Sequence, residues 1–302
     1  MLDISHKYNT LRTAIAEATL EVSKSSIKAI KSNSVPKGDV FTVSKVAGTL
    51  AAKNVSQIIP YCHNISIDYV NLKFDIKNNN ITITSEVKSI NKTGVEMEAL
   101  TSVCVAALTV YDMLKMIDDK VLIKEIRLVE KRGGKTDFTT DLERRLKAAV
   151  LVLSDSISQG KKGDESGRLI VERLKANGVI VKRYEIMPDN REEIKERLKS
   201  LCDKERLDLI ITTGGTGFSP RDNTPEATLS IIEREIPGIP EAIRDYGQQR
   251  TPYSMLSRGI AGIRGNTIII NLPGSKKGVK ESLDILFPSI FHSFKMLWMG
   301  GH

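Results

Sequence analysis

Residues 207–217 constrain the fold of this chain more than any other stretch. Leu207-Asp208-Leu209-Ile210-Ile211 is an apolar run of strand length, and Thr212-Thr213-Gly214-Gly215-Thr216-Gly217 follows it at once. Such a run reads as a strand buried on both faces, which belongs to a parallel sheet. Glycines just past the strand let backbone N–H groups approach an anion closely. They do so at the carboxyl edge, where open α/β sheets bind ligands. Downstream, Arg221-Asp222-Asn223-Thr224-Pro225-Glu226 gives a charged turn and a helix start, with Thr224 as N-cap and Pro225 as first helical residue. The loop is expected to cradle an anion.

Further strands are expected at residues 149–153, 179–186 and 267–271. They alternate with helices at 165–177, 190–202, 225–233 and 277–287, the pattern of a doubly wound α/β domain. This domain spans residues 148–302. The first half follows a different pattern. A helix is expected at 10–29, rich in Ala, Glu, Leu and Ile, and a second at 40–58, with Asp39 as its cap and small residues (Ala47, Gly48, Ala51, Ala52) for close packing. Two alternating runs, 65–76 and 81–90, joined by Lys77-Asn78-Asn79-Asn80, predict a hairpin. A helix at 95–117 and a strand at 121–129 complete an α+β domain over residues 1–140. The charged run Asp141–Lys147 is expected to be a short helical linker.

With 302 residues, two such cores are affordable. The first residues carry no signal-peptide apolar core, and no apolar run reaches the length of a membrane span. Cys62, Cys104 and Cys202 stand far apart and indicate neither disulfides nor a zinc site, so a cytoplasmic setting is expected. The net charge of +8 permits nucleic-acid binding. Aromatic content of 5% leaves few stacking platforms, however, and stretches such as Arg191–Arg197 are ordinary solvated helix faces. Small polyanionic substrates explain the charge equally well, and neither nucleic-acid nor membrane partners are expected.

In the first half, Lys37-Gly38-Asp39 sets a cation and a glycine at a helix start, an anion site or simply a capped turn. Asp112 and Lys115, three apart, are helix neighbours and by default a surface ion pair. Glu96 and Glu98 open the long helix, where carboxylates complement the dipole. At ~1.5 Å per residue, Glu98 and Asp112 lie roughly 21 Å apart. They therefore serve different sites of one subunit, which places the sites at a subunit interface. Gly134-Lys135-Thr136 lacks the upstream glycine of a P-loop, since Val129 stands there.

Taken in order, Lys37-Gly38-Asp39-Val40-Phe41, Pro60-Tyr61-Cys62-His63, residues 92–100 from Lys92-Thr93-Gly94 to Ala99-Leu100, Tyr111–Lys115 and Gly133-Gly134-Lys135 resemble cyclic pyranopterin monophosphate synthase, the MoaC family. The resemblance covers residues 1–137. It implies a ferredoxin-like α+β fold assembled as a hexamer. The implied reaction converts a 3′,8-cyclised dihydroguanosine triphosphate to cyclic pyranopterin monophosphate and pyrophosphate, without a cofactor. Asp112 and Lys115 are then the acid/base pair. Tyr61, Cys62, His63, Met97 and Glu98 line the pocket, while Arg12, Lys37 and Lys135 face the triphosphate.

In the second half, Ser154-Asp155-Ser156 and Pro188-Asp189-Asn190 end strands. The first is a turn or a ligand edge; the second, with Glu192, also reads as a capping box. Residues 212–217 with Arg221-Asp222, Thr224–Thr228, Leu256-Ser257-Arg258 and Asn271-Leu272-Pro273-Gly274 resemble molybdopterin adenylyltransferase, the MogA/MoaB family, from residue 148 to 300. That resemblance implies adenylylation of molybdopterin by ATP, with Asp189 and Asp222 as the catalytic carboxylates linked to Mg²⁺. Gly214, Gly215 and Thr216 then contact phosphates or pterin, with Ser154, Asp155, Ser257, Arg258, Pro273, Gly274 and Ser275 around the ligand. A bifunctional enzyme of molybdenum-cofactor biosynthesis is the expectation. The alternative is an active synthase fused to a module that only holds molybdopterin. The two steps are not consecutive, because sulfur insertion lies between them.

Overall fold

A computed structural model describes residues 1–299; residues 300–302, the end of the second expected domain, lie outside the described residues. The chain divides into two compact units, Met1–Phe138 and Thr139–His302.

The first unit runs β1 (Thr10–Glu21), α1 (Lys24–Lys31), α2 (Val40–Lys53), α3 (Val55–Ile58), β2 (Tyr69–Lys77), β3 (Asn80–Asn91), α4 (Glu96–Leu114) and β4 (Leu122–Arg132). Its sheet has the order β2-β3-β1-β4, antiparallel throughout. The connectivity is β-α-β-β-α-β.

The expected helix at 10–29 is wrong for its first half: residues 10–21 are the inner strand β1, and only Lys24–Lys31 is helical. Ala14, Ala16, Ala18 and Leu20 alternate into the core, and β1 is laddered on both sides, to β3 and to β4. Alanine's helix propensity is a fraction of a kcal/mol per residue, and two ladders plus burial override it. The same alanines give α4 a shallow bed, where its own Ala99, Val103, Ala106, Ala107 and Val110 join the same core. Among the described residues α4 has the length and hydropathy of a membrane span, against the sequence expectation; half of it is buried inside the unit, as in a core helix.

Helix α2 starts as expected, with the Asp39 carboxylate accepting from the N–H groups of Phe41 and Thr42. The expected single helix at 40–58 breaks at Asn54. The hairpin turn tightens to Asn78-Asn79, since Lys77 pairs with Asn80, and Asn78 takes the left-handed conformation (φ 55°). A Cβ on Gly48 would stand 2.9 Å from the Ser102 carbonyl and 3.2 Å from Ala106 Cβ, so α2 approaches α4 closely at a position where α2 carries no side chain.

The second unit runs β5 (Lys147–Leu153), α5 (Asp155–Ser158), α6 (Ser166–Ala176), β6 (Ile180–Met187), α7 (Arg191–Lys199), β7 (Leu209–Thr213), α8 (Thr224–Leu229), β8 (Arg234–Glu235), α9 (Gly238–Gln248), β9 (Ala261–Arg264), β10 (Thr267–Leu272), α10 (Lys276–Leu286) and α11 (His292–Met299). Sheet order is β6-β5-β7-β10-β9-β8. The four expected strands are parallel; β9 and β8 add an antiparallel edge too short to show in the sequence pattern. Both faces are covered. Ala148 and Val150 join one core cluster, while Ala149, Leu151 and Leu153 join the other.

The helical linker expected at 141–147 is not helical. Leu146 is buried, and the Arg144 guanidinium donates to both carboxylate oxygens of Asp208 (2.8 and 2.6 Å). Arg144 also lies over the Trp298 ring at 4.1 Å. Asp208, the one charge in the apolar strand run, is 3% exposed and needs that partner. Tethering this segment to a buried carboxylate outweighs the small gain from helical ion pairs.

Replacing Gly48 by Ala is expected to destabilise the first unit by about 1–3 kcal/mol. Urea unfolding of the full chain checks this, and an unchanged midpoint would mean that the two helices do not approach so closely.

Candidate active sites

In the first unit, the capped start of α2 brings Lys37 to the carboxyl end of α4. Lys37 Nζ donates to Asp112 Oδ2 (2.6 Å) and to the Asp112 carbonyl (3.0 Å), and Lys115 Nζ reaches Asp112 Oδ1 (2.7 Å). These hydrogen bonds, Lys115's first, hold the Asp112 carboxyl at about 2 and raise Lys115 above its ordinary value. Lys37, expected beside the triphosphate cations, thus stands with the expected acid/base pair.

The amino end of α4 lines a different space. A cavity of about 730 Å³ is bounded by Tyr61, Cys62, His63, Met97, Glu98 and the first residues of the chain. Glu98 is 4% exposed, and burial raises its pKa, with Glu96 adding to the effect. Burial, then Glu98, pushes the Cys62 thiol up. His63 Nε2 lies 2.9 Å from the Leu2 carbonyl oxygen. An adjoining smaller pocket is lined by Arg12, Glu96, Gly134 and Thr136. Arg12 donates to the carbonyls of Asn91 and Lys92, and burial lowers its pKa. Lys135 begins the short 3-10 turn Lys135–Phe138 at this rim. One subunit therefore brings together two groups, one at each end of α4, as the helix rise requires.

Sequence reasoning missed Glu96, which borders both spaces, and the amino-terminal segment. Glu96 passed for a dipole carboxylate, and residues 1–7 have no periodicity to read.

In the second unit, four strand ends meet at one sheet edge. Asp189 N–H donates to Asp155 Oδ1 (3.1 Å), which ties the ends of β5 and β6. Thr213 Oγ1 donates to the Pro273 carbonyl (2.7 Å), tying β7 to β10, and Ser166 Oγ reaches the Gly274 carbonyl. Gly214 and Gly215 both have positive φ (103° and 61°). A Cβ on Gly215 would lie 2.6 Å from Asp189 Oδ1, and one on Gly274 would lie 3.3 Å from Gly214 Cα. The loop lacks side chains because a carboxylate and another turn occupy that space.

The capping-box reading of Asp189 does not hold. Asn190 caps α7, accepting from the N–H groups of Glu192 and Glu193. Asp189 is left without that duty: its Oδ1 is buried with no hydrogen-bond partner among the described residues. Burial first, then Asp155 and Asp222, lifts its carboxyl to about 6. Asp222 Oδ2 accepts from Ser219 N–H within the loop (2.8 Å).

Two further expectations change. Thr224 does not cap α8; it is the first helical residue, and its hydroxyl donates to the Gly214 carbonyl (2.9 Å). Arg258 does not offer a free guanidinium. Its donors go to the Gly217 and Asp222 carbonyls (2.7 Å each) and to Glu226, while its N–H meets the Thr216 carbonyl. It braces the glycine loop. Ser257, Pro273 and Ser275 border a separate cavity of about 290 Å³ with Tyr253 and Lys277. Ser154 sits at the N-cap position of α5 without a side-chain capping hydrogen bond, and its hydroxyl contacts Ser156.

Among the described residues no group of three or more His, Cys, Asp or Glu is arranged to hold a metal by itself. An orphaned buried oxygen on Asp189, with Asp155 and Asp222 acting on it, still fits an ion that brings most of its own ligands. Mg²⁺ bound to nucleotide phosphates is such an ion.

The chain joins an α+β unit to a doubly wound α/β unit, each with its own cluster of acidic and basic groups. Residues 1–134 match the MoaC family, and residues 149–292 match the family described as probable molybdopterin binding domain. The chain is 39% identical over 302 residues to the molybdenum cofactor biosynthesis bifunctional protein of Chlorobaculum tepidum, covering 100% of this chain and 96% of that one. It is 33% identical over 317 residues to the protein of the same description in Synechococcus elongatus, covering 100% and 98%. Its first half is 50% identical over 141 residues to the cyclic pyranopterin monophosphate synthase of Clostridium acetobutylicum, 46% of this chain and 88% of that protein. The second half is similar to a crystal structure of MoaB from Thermus thermophilus, at 43% identity over 50% of this chain and 96% of that one, with TM-score 0.48. This chain belongs to the family of bifunctional molybdenum cofactor biosynthesis proteins, with a MoaC domain joined to a MoaB/MogA-type domain.

Because the Asp189 carboxyl is lifted to about 6, its contribution to stability is full below the unfolded value near ~3.8 and is lost as pH rises through about 6. Asp189→Asn is therefore expected to stabilise the chain at about pH 7.5, by about 1 kcal/mol after allowing for partial exposure. The gain should shrink toward about pH 4, as thermal melts at both values will show.

Proposed function

We propose that the first unit converts a 3′,8-cyclised dihydroguanosine triphosphate to cyclic pyranopterin monophosphate and pyrophosphate, and that the second adenylylates molybdopterin with ATP. The expected ferredoxin-like fold of the first unit is supported by its β-α-β-β-α-β order with antiparallel sheet β2-β3-β1-β4. For the first reaction the carrying observation is Asp112 clasped by Lys37 and Lys115. In the free protein this clasp pulls Asp112 down and Lys115 up, away from neutral pH. A polyphosphate competing for both ammonium groups relaxes the clasp. It frees Asp112 to accept a proton and leaves Lys115 to donate one.

Burial favours the neutral forms of Glu98 and Cys62, which suits an uncharged heterocycle in the large cavity, and Arg12 with Lys135 suits the phosphates beside it. Since the two ends of α4 stand apart, a second copy supplies the Asp112 end to each cavity, and the working species is a homo-oligomer, a hexamer in the reading drawn from the resemblance. An equally active monomer at working dilution contradicts this.

For the second reaction the carrying observation is Asp189 packed against Gly215 at the sheet edge, with Asp155 and Asp222 acting on it. The side-chain-free loop offers N–H groups to phosphate oxygens, and Arg258 keeps it open. Asp189 and Asp222 would hold a Mg²⁺ arriving with ATP, and such an ion, when bound, would supply charge neutralisation for a pyrophosphate leaving group. The two reactions do not follow one another directly, so transfer of product between the sites is not part of the proposal.

Incubating the protein with each substrate separately and measuring pyrophosphate release tests both halves. Asp112→Asn is expected to lower release from the cyclised nucleotide about 100-fold or more while sparing the ATP-dependent reaction. Asp222→Asn should do the reverse. Molybdopterin binding without any ATP-dependent product from the wild type would leave the second unit a holding module.

A further inference from the structure

We infer that the amino-terminal strap of the first unit, residues 1–7, fixes the tautomer of His63 through the main-chain carbonyl of Leu2, so that the imidazole offers Nδ1 as a hydrogen-bond acceptor to an N–H or O–H donor of the ligand in the adjoining cavity. The inference rests on the reading of that cavity as the synthase pocket.

A carbonyl oxygen only accepts, so the 2.9 Å contact between His63 Nε2 and the Leu2 carbonyl requires the proton on Nε2. In a neutral imidazole the other nitrogen then carries a lone pair. His63 Nδ1 has no hydrogen-bond partner among the described residues, and the residue lines the cavity together with the strap.

The strap is shaped by its own turns. Asp3 Oδ1 accepts from Ser5 N–H (2.8 Å), and Lys7 N–H donates to the Ile4 carbonyl (3.0 Å). It then enters β1 at Thr10, which is paired with Asn91 in the sheet. These turns aim a backbone carbonyl at the one ring nitrogen that otherwise competes with Nδ1 for the ligand.

The result is complementary to the rest of the wall. Burial favours the protonated, hydrogen-bond-donating forms of Glu98 and Cys62. A cavity with the Cys62 thiol as a donor and His63 as an acceptor matches a lactam edge, where a ring N–H lies beside a carbonyl. A guanine-derived heterocycle has such an edge. Leu2 and Asp3 act through His63 and are positioning residues.

The test is a long-range ¹H–¹⁵N correlation spectrum of the full chain labelled at histidine, at about pH 8.5, where imidazoles are neutral. His63→Gln assigns the signals. The intact chain is expected to show His63 only as the Nε2–H tautomer, and Leu2→Ala, which keeps the carbonyl, should leave that tautomer in place. Removing residues 1–4 behind a new initiator Met should give a mixture of tautomers and raise KM for the cyclised nucleotide about tenfold. Asp3→Ala, a gentler change should the deletion unfold, is expected to shift both readouts in the same direction. An Nδ1–H tautomer in the intact chain overturns the inference, as does an unchanged spectrum or KM in the folded deletion. An intact chain with the stated tautomer but no pyrophosphate release overturns the synthase reading instead.

Discussion

Both faces of the second unit's parallel sheet are covered, and that constraint places everything else in the unit. With Ala148 and Val150 packed to one side and Ala149, Leu151 and Leu153 to the other, the polar groups of the inner strands gather at the strand ends. The carboxyl ends of β5, β6, β7 and β10 carry Asp155, Asp189, the glycine loop and Pro273-Gly274. Hydrogen bonds from Asp189 N–H and Thr213 Oγ1 draw these ends together. Burying the Asp189 carboxyl there without a cation costs stability. Its lifted pKa is the sign of that cost, and under the proposed function it is the cost that a phosphate-linked cation would offset.

The first unit uses a helix rather than a sheet edge. Helix α4 lies on a bed of alanines from β1 and against Gly48 of α2, which leaves both of its ends free to hold chemistry. Glu98 sits buried in the first turn, and Asp112 sits exposed near the last. Burial raises one carboxyl and paired ammonium groups lower the other. The same side-chain chemistry is thus tuned in opposite directions by place alone.

The family matches agree with this division: the first ends at residue 134 and the second begins at residue 149, on either side of the boundary between the two units. Segment 141–147 belongs to the second unit because Arg144 answers Asp208 and Leu146 fills its core.

The sequence by itself determined the two-domain plan and the parallel strands, and it pointed to residues that the structure gathers at the two ends of α4 and at one sheet edge. Apolar runs ending in glycine, and charged clusters in a fixed order, are local signals that need no partner strand to be read. It misread residues 10–21, because alanines that favour a helix in isolation become strand residues when two neighbours ladder them. It offered Asp189 and Thr224 as caps, since cap signatures repeat wherever helices start; only the tertiary structure released Asp189 to the site and turned Thr224 onto Gly214. The resemblance set Arg258 around the ligand, and its donors prove to be spent on the loop it braces. The amino-terminal strap had no pattern at all. Its role depends on a backbone carbonyl reaching His63 across 61 positions of sequence, and a contact of that kind is decided by the fold, because every residue carries the same carbonyl.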